Sequence, residues 1–236
     1  MSYEDSNICL IPARGGSKRV PRKNWLPLNG IPLLAYSIKA AIGANVFDRV
    51  VVSTEDLEIA KVAKEFGAEV DNRPHDLASD FKTKDDVLLE FILRNKLNDN
   101  DQVTILLPTC PFRTTFHIIE ANSKFKSGLE SFKSLISVCE FSFPIDLAMS
   151  IGENEHLLKA YPEKYQKTRS QEHKKSFHPN GAIYISTVGN FKEIKSFFGT
   201  KMQAYLMNEW DSFDIDTPEQ FSIAEAMMNI QKTKII

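Results

Sequence analysis

A short segment near the start of the chain carries the residues best suited to chemistry. Residues 13–24, called here the basic loop, are Ala-Arg-Gly-Gly-Ser-Lys-Arg-Val-Pro-Arg-Lys-Asn, with five cations and no acidic side chain. They follow the apolar residues 8–11, which predict a buried strand that ends at a proline. Two adjacent glycines let the backbone approach a ligand and direct N–H groups at it. The segment is therefore typical of a polyphosphate-binding site.

Two familiar phosphate-binding motifs do not account for the basic loop. The P-loop needs two glycines five residues apart followed by Lys and Ser or Thr, and the dinucleotide fingerprint needs Gly-x-Gly-x-x-Gly; neither pattern occurs here. A nicotinamide-dependent oxidoreductase is therefore disfavoured. The simpler alternative is a solvent-exposed charged loop, since most charge runs are only that. Phosphate binding is favoured because open α/β sheets hold ligands beyond the ends of their strands.

Two aspartates near the other end of the chain are candidates for holding a metal ion. Asp214 and Asp216 lie two positions apart, and in an extended segment such residues point to the same side. Mg²⁺ binds one or two carboxylates together with water and substrate phosphates. The alternative is that the pair only caps the helix that Thr217 and Pro218 are predicted to begin. With a polyphosphate loop elsewhere in the chain, the sequence favours magnesium.

The composition of the whole chain limits the kinds of protein and partner. At 236 residues, with 42% hydrophobic and 25% charged residues, the chain suits one large α/β domain. A net charge of −2 argues against a general nucleic-acid or membrane binder, and no apolar run reaches the roughly 20 residues of a membrane span. Three widely spaced cysteines form no zinc or disulfide pattern. Since residues 1–5 also lack a secretory signal, we expect a cytoplasmic protein without nucleic-acid or membrane partners.

The elements that must position these residues alternate along the chain. Apolar runs with β-branched residues predict strands, and segments with an apolar face every three or four residues predict helices. The predicted strands cover residues 8–11, 50–53, 103–107, 134–138, 182–185 and 202–207. The predicted helices cover residues 33–42, 56–66, 84–94, 116–125 and 218–230. This order predicts a parallel sheet covered by helices, whereas residues 141–178 show no clean period and predict an irregular insertion.

Several motifs together resemble one known family. Residues 11–24 closely resemble the signature of the CMP-sialic acid synthetases, also called acylneuraminate cytidylyltransferases. Further stretches are similar to motifs of that family: Arg-Pro-x-x-Leu-Ala-Ser-Asp at 73–80, Pro-Thr-x-Pro-x-Arg at 108–113, Pro-Asn-Gly-Ala-Ile-Tyr at 179–184 and Asp-Ile-Asp-Thr at 214–217. The resemblance spans residues 8 to about 221 and so covers most of the chain.

The resemblance implies a fold, a reaction and an assembly. It implies a single domain over residues 1–236 with the three-layer α/β nucleotide-diphospho-sugar transferase fold, a mostly parallel sheet and a dimerisation insertion at about 141–178. It also implies that CTP and a nine-carbon 2-keto-3-deoxy sugar acid, N-acetylneuraminate or a related nonulosonate, react with Mg²⁺ as cofactor to give the CMP-sugar and pyrophosphate. The expected partners are these two substrates and a second copy of the chain in a homodimer.

The matched positions carry expected roles by the same resemblance. The nucleotide site would consist of Ala13, Arg14, Gly15, Ser17, Lys18, Lys23, Asn24, Arg73 and Ser79. The catalytic residues would be Arg14, Lys23 and Asp216, with Asp214 and Asp216 as magnesium ligands. The sugar contacts would be Leu107, Arg113, Arg169 and Asn180. The planar guanidinium of Arg73 suits the acceptor edge of cytosine.

Two departures from the family pattern fall in the sugar site. Leu107 stands where sialic-acid enzymes commonly have Gln, and His178 where many relatives have Arg. The sequence therefore supports the reaction class more firmly than the sugar. Legionaminate and pseudaminate enzymes, and more distantly an enzyme for the eight-carbon sugar Kdo, stay as alternatives, as does a non-catalytic regulator that binds CTP. Cys110, often Ser in the family, is interpreted as a packed and inert thiol.

Overall fold

Alternating strands and helices build a central sheet, as the sequence predicts. The computed structural model describes residues 5–161 and 173–233. The strands are β1 (Asn7–Pro12), β2 (Pro27–Leu28), β3 (Ile31–Pro32), β4 (Arg49–Thr54), β5 (Glu69–Asn72), β6 (Gln102–Ile105), β7 (Ser134–Glu140), β8 (Met149–Ile151), β9 (Leu157–Lys159), β10 (Phe177–Thr187) and β11 (Met202–Leu206). The helices are α1 (Leu33–Ala44), α2 (Leu57–Glu65), α3 (Lys84–Asn95), α4 (Thr115–Gly128), α5 (Val188–Ile194) and α6 (Pro218–Thr233). No helix in this part of the chain is long and apolar enough to cross a membrane.

The order of the strands decides which loops meet. Within the described residues, seven strands form the sheet in the order β11-β7-β10-β6-β1-β4-β5. Neighbouring strands run parallel except at β10, which is antiparallel to both β6 and β7. The predicted mostly parallel sheet is therefore confirmed. Because β10 runs the opposite way, its first residues lie at the edge where β6 and β7 end.

Helices cover both faces of the sheet. On one face, a buried cluster includes Ile38 of α1, Ala63 of α2 and Phe125 of α4. On the other face, Phe91 of α3 and Phe191 of α5 join apolar residues of β1 and β6. Each large apolar side chain contributes about 1.5–3 kcal/mol by leaving water, so the two layers of helices hold the strand ends firmly in place. The three layers agree with the predicted fold class.

The last helix fixes the segment that precedes it. Helix α6 buries Phe221 and Met228 in a third apolar cluster beside α1 and the loop after β6. At its start, the hydroxyl of Thr217 accepts a hydrogen bond from the N–H of Gln220 at 3.3 Å. The side-chain oxygen of Gln220 accepts from the backbone N–H groups of Asp216 and Thr217 at 2.8 and 2.9 Å. This reciprocal capping confirms the predicted start of the helix.

The structure differs from the sequence prediction in and around β10. The strand begins at Phe177 rather than at residue 182, with a shift in register between Pro179 and Tyr184. Gly181 has a φ of +78° within that shift, a conformation that glycine adopts without strain. The pattern also does not predict the short helix α5, or the antiparallel hairpin β8–β9 within the insertion at 141–178. Residues 162–172 of that insertion lie outside the described residues.

Candidate active site

A cavity of about 490 Å³ lies where β1 and β6 end. Its walls come from the basic loop, the loop after β6, the segment before α6 and one acidic residue of the loop after β5. The lining residues are Pro12, Arg14, Ser17, Lys18, Arg19, Val20, Lys23, Asn24, Asp80, Leu107, Pro108, Thr109, Asp214 and Asp216. Open α/β sheets bind their ligands at the carboxyl ends of their strands, so the cavity is the candidate active site.

The structure brings many of the predicted site residues to this cavity. Those that line it are Arg14, Ser17, Lys18, Lys23, Asn24, Leu107, Asp214 and Asp216. Those that do not are Ala13, Gly15, Arg73, Ser79, Arg113 and Asn180. Ala13 is buried and donates its N–H to the carbonyl of Ser53 at 3.0 Å, whereas Ser79 is exposed. Arg169 lies outside the described residues.

Hydrogen bonds within the chain hold the basic loop in shape. The buried amide of Asn24 donates to the carbonyl of Arg14 at 2.9 Å. The backbone N–H of Gly15 donates to the carboxylate of Glu55 at 2.8 Å. Asn24, predicted to hold the nucleotide, thus fixes the backbone of the loop through its side chain. The backbone that carries the cations is thereby held in shape, which lowers the cost of ordering the loop on binding.

Asp216 joins the basic loop to the segment before α6. Its two carboxylate oxygens contact Lys23 Nζ at 3.1 Å and Arg19 Nη2 at 3.0 Å. Lys23 Nζ also donates to the carbonyl of Ile215 at 2.7 Å. The side chain of Lys23 is 12% exposed, whereas that of Arg19 is 66% exposed. Lys23 is therefore a fixed cation, little screened by solvent, and Arg19 is a surface cation.

Asp80 forms ion pairs with Arg14 and Lys18, the other two basic-loop cations that line the cavity. Its carboxylate accepts a hydrogen bond from Arg14 Nη1 at 2.8 Å and contacts Lys18 Nζ through its second oxygen. Lys18 and then Arg14 hold the pKa of this exposed carboxyl below its usual range. Asp80 therefore stays ionised at every pH at which the phosphates of a nucleotide are fully ionised.

Asp214 and Asp216 share one wall, as their spacing predicts. The N–H of Ile215 between them donates to the carbonyl of Thr109 at 2.9 Å, and its side chain is buried. Both aspartates line the cavity. Burial raises the pKa of Asp214, and the charge of Asp216 acts in the same direction. Because the described residues hold no cluster of three or more potential ligands, a cation here would take its other ligands from water or a bound phosphate.

An ion pair that the sequence did not indicate lies beside Gly15. Arg73 is nine-tenths buried, and its Nη2 donates to Glu55 at 2.9 Å. The Nε of Arg73 is also buried and has no hydrogen-bond partner in the described part of the chain. Burial lowers the pKa of the Arg73 guanidinium. Glu55 directly follows β4, and an acidic residue at the end of a parallel strand was the signal that could have revealed it.

Arg113 supports the backbone around the cavity instead of lining it. Its guanidinium is buried, and Nη1 donates to the carbonyls of Leu107 and Ala182 at 3.1 and 2.9 Å. Nη2 donates to the hydroxyl of Ser37. These bonds join the end of β6 to β10 and α1. The guanidinium is directed to these oxygens, so it supports the strand ends in this structure, and the sugar contact of Arg113 stays a prediction.

We expect Arg113→Met to lower the free energy of unfolding by about 2–4 kcal/mol, because the carbonyl of Ala182 loses its donor from Arg113 and the carbonyl of Leu107 keeps only the longer bonds from Ser37 Oγ and the N–H of Cys110, at 3.3 and 3.5 Å. Urea denaturation measures the effect. Arg49→Met is the control: Arg49 forms a partly exposed ion pair with Glu69, so its loss should cost less than about 1 kcal/mol. Unchanged stability of the Arg113 variant, together with weaker sugar-acid binding, would favour the predicted ligand role.

Asn180 is likewise engaged inside the protein. Its side-chain oxygen accepts from Ser137 Oγ at 2.6 Å and from the N–H of Ala182 at 3.1 Å. Its Nδ2 donates to Ser212 Oγ at 2.8 Å. These bonds join β10 to the segment that leads to Asp214, and the sugar contact of Asn180 stays a prediction. Among the predicted sugar residues that the structure describes, Leu107 is the one that lines the cavity.

Comparisons with known proteins agree on one family. The profile described as Cytidylyltransferase matches residues 8–234. The pseudaminic acid cytidylyltransferase of Campylobacter jejuni is 34% identical over 227 residues, covering 95% of this chain and 97% of that protein. The CMP-N,N'-diacetyllegionaminic acid synthase of Legionella pneumophila is 34% identical over 237 residues, covering 97% of this chain and 99% of that protein. The N-acylneuraminate cytidylyltransferase of Escherichia coli is 34% identical over 231 residues, covering 96% of this chain and 52% of that protein.

Solved structures support the fold. The chain resembles a CMP:2-keto-3-deoxy-manno-octonic acid synthetase complexed with CTP, with a TM-score of 0.70 and 16% identity over 96% of this chain and 100% of that one. It also resembles the 4-diphosphocytidyl-2C-methyl-D-erythritol synthase of Anaerococcus prevotii, with a TM-score of 0.61 and 13% identity over 95% of this chain and 99% of that one. At these identities the likeness concerns the fold alone.

Proposed function

Because the chain belongs to the cytidylyltransferase family, we propose that it transfers the CMP group of CTP to a nonulosonic acid and releases pyrophosphate. One observation carries the proposal: four of the five cations of the basic loop and the carboxylates of Asp214 and Asp216 line one cavity at the strand ends. A polyphosphate needs the cations, and a metal that binds phosphate needs the carboxylates. A nucleotidyl transfer uses both.

The cations of the basic loop supply the electrostatic part of the proposed mechanism. The anomeric hydroxyl of the sugar acid loses its proton, with Asp214 or Asp216 as the proposed acceptor, and attacks the α-phosphorus of CTP in line while the bond to pyrophosphate breaks. Arg14, Lys18 and Lys23 would bind the triphosphate and stabilise the charge that grows on the leaving group. Lys23 would contribute most, because its ammonium is held within the wall of the cavity by Ile215 and Asp216.

The two aspartates would hold Mg²⁺ in this mechanism. The donor set fits that ion, because Asp214 and Asp216 supply carboxylate oxygens to one cavity and leave room for water and phosphate. When bound, the ion supplies positive charge to the phosphate oxygens. Asp216 also orients Lys23 through the 3.1 Å contact between them.

The pair of Glu55 and Arg73 is our candidate for recognising the cytosine ring. Cytosine presents an amino donor beside acceptors, whereas uracil presents an oxygen in place of the amino group. A carboxylate accepts from the amino group and repels that oxygen, and the fork of Arg73 donates to the acceptors. The two side chains contact each other at 2.9 Å and adjoin the start of the basic loop through Gly15.

We expect Glu55→Gln to reduce the preference for CTP over UTP by about tenfold or more, since one correctly placed polar pair is worth about 1–3 kcal/mol of discrimination. The ratio of kcat/KM for the two nucleotides measures it. Glu58→Gln, on the exposed face of α2, serves as the control. An unchanged ratio in the Glu55 variant would exclude this pair from base recognition.

A second copy of the chain is the proposed partner of the hairpin β8–β9. All six residues of its strands are exposed, including Ile151 at 76% and Leu157 at 70%. A two-stranded hairpin is at best marginally stable alone, and clustered apolar side chains of this kind mark interfaces. We therefore propose the homodimer that the family resemblance implies, with the insertion at 141–178 as its contact.

We expect the wild type to have the mass of a dimer and Ile151→Asp to have that of a monomer, because a charge would be buried in the contact. Light scattering during size-exclusion chromatography measures both. Leu57→Asp, on α2 and 85% exposed, should remain a dimer. A monomeric wild type, or a dimeric Ile151 variant, would contradict the proposed interface.

The sugar acid and the compartment complete the proposal. Leu107 offers the substrate an apolar surface, and the relatives named above act on pseudaminic, legionaminic and N-acylneuraminic acids, so the substrate is N-acetylneuraminate or one of these nonulosonates. The three cysteines are unpaired, which suits the reducing cytoplasm.

Pyrophosphate release tests the proposed function directly. The purified protein is incubated with CTP and Mg²⁺ and with N-acetylneuraminic, legionaminic, pseudaminic or Kdo acid in turn. Release with one nonulosonic acid confirms the reaction and identifies the substrate. If CTP binds but none of the acids gives pyrophosphate, the chain is better described as a nucleotide-binding regulator on this fold.

A further inference from the structure

Asp80 forms ion pairs with two of the cations on which the proposed function relies. It comes from the loop after β5, some distance in sequence from the basic loop, and its carboxylate lines the same cavity. One oxygen accepts from Arg14 at 2.8 Å, and the other contacts the ammonium of Lys18. The side chain of Asp80 is 39% exposed, so it can move away from both cations without breaking a packed core.

The chemistry of this contact imitates that of a phosphate group. A phosphate presents two or more anionic oxygens to neighbouring cations, and the carboxylate of Asp80 presents one oxygen to each of two cations. Arg14 and Lys18 are also the side chains proposed to bind the triphosphate. Asp80 and a bound polyphosphate therefore require the same donors, and both cannot hold them fully at the same time.

Asp80 differs in this respect from Asp216, the acidic partner of Lys23 and Arg19. Asp216 has a proposed ligand of its own, Mg²⁺, and its partner Lys23 is only 12% exposed. Asp80 is an exposed carboxylate on a separate loop, and displacement leaves it to solvent, which costs little for a charged group. Lys18 and Arg14 also keep its pKa low, so the charge that competes is constant.

We propose that Asp80 is an internal competitor for the phosphate-binding cations, and that its return to Arg14 and Lys18 assists the release of pyrophosphate. The inference rests on the proposed function, because it assigns a task to the product of that reaction. CTP displaces Asp80 from Arg14 and Lys18 when it binds, and Asp80 pairs with these two cations again as pyrophosphate leaves. This competition lowers the affinity of the cavity for polyphosphate and raises the rate at which pyrophosphate dissociates.

The test is the affinity of the site for pyrophosphate itself. Isothermal titration of pyrophosphate with Mg²⁺ is carried out on the wild type, on Asp80→Asn and on Asp76→Asn, an exposed aspartate of the same loop. Exposed ion pairs are individually weak, so we expect Asp80→Asn to bind pyrophosphate about three- to tenfold more tightly, with Asp76→Asn unchanged. If Asp80 only supported the structure of the site, Asp80→Asn would instead bind pyrophosphate more weakly than the wild type.

A second variant isolates the contact. In a Lys18→Gln background, Asp80→Asn should tighten pyrophosphate binding by a smaller factor than in the wild type, because one of the two contested cations is gone. Equal or weaker pyrophosphate binding by Asp80→Asn in the wild-type background overturns the inference. If the wild type releases pyrophosphate from CTP and yet Asp80→Asn binds it no more tightly, the inference alone fails. If the wild type binds neither CTP nor pyrophosphate, the proposed function fails with it.

Discussion

Lys23→Ala is expected to lower kcat/KM for CTP by about 100- to 1,000-fold while the protein remains folded, because it removes a fixed, nearly buried cation that is proposed to bind the leaving group. Asp216→Asn should have an effect at least as large, since the same carboxylate holds Lys23 and is a proposed magnesium ligand. Pyrophosphate release measures the activity, and circular dichroism verifies the fold.

The matched control for this prediction is Arg19→Ala. Arg19 also contacts Asp216, at 3.0 Å, but its side chain is 66% exposed and its charge is screened by solvent. We expect it to lose no more than about tenfold in activity. Turnover close to wild type in either Lys23→Ala or Asp216→Asn would remove both residues from the mechanism.

Gly15→Ala is expected to lower the affinity for CTP by about tenfold or more. A Cβ at Gly15 would lie 2.3 Å from Asp56 Oδ2 and 2.9 Å from Asp56 Cβ, so either the basic loop or Asp56 must shift. Asp56 is the N-cap of α2, where its carboxylate accepts from the N–H groups of Glu58 and Ile59, and losing that cap costs about 0.5–2 kcal/mol. A shift of the loop would instead break the bond from Gly15 to Glu55 and misplace the cations.

The neighbouring glycine provides the comparison. A Cβ at Gly16 would meet nothing within 4 Å, so Gly16→Ala tests the loss of glycine without the collision. We expect its CTP affinity to stay within about threefold of the wild type and its melting temperature to be unchanged or slightly raised. Titration with CTP and thermal unfolding measure both variants. Equal effects of the two substitutions would show that flexibility, and not the collision, matters in this loop.

The elements and the phosphate side of the cavity were predictable because their signals are local. Apolar periodicity predicts β1, α1 and α3 within two residues of their observed ends. Two glycines among five cations after a strand predict the basic loop. The alternation of side chains in an extended segment places Asp214 and Asp216 on one wall.

The remaining features depend on contacts between distant parts of the chain. Glu55 lies in no recognised motif, and the motif at 73–80 that contains Asp80 does not show which side chains Asp80 meets; both roles come from contacts with Gly15, Arg73, Arg14 and Lys18. A motif match also cannot distinguish a side chain that touches a ligand from one that holds the backbone behind it. Arg113 and Asn180 illustrate this: the motifs predict sugar contacts, and the structure adds that both side chains join strand ends through hydrogen bonds.

The way in which α6 packs against the domain affects how the activity can be lost. Gln220 in its first turn holds the backbone of Asp216, while the rest of the helix is attached through apolar side chains such as Phe221 and Met228. Helix α6 can therefore open by local unfolding while the centre of the sheet stays folded. Molecules in which α6 is detached would lose the support that Gln220 gives to Asp216. Substitutions that weaken these apolar contacts are therefore expected to lower the activity before the central sheet unfolds.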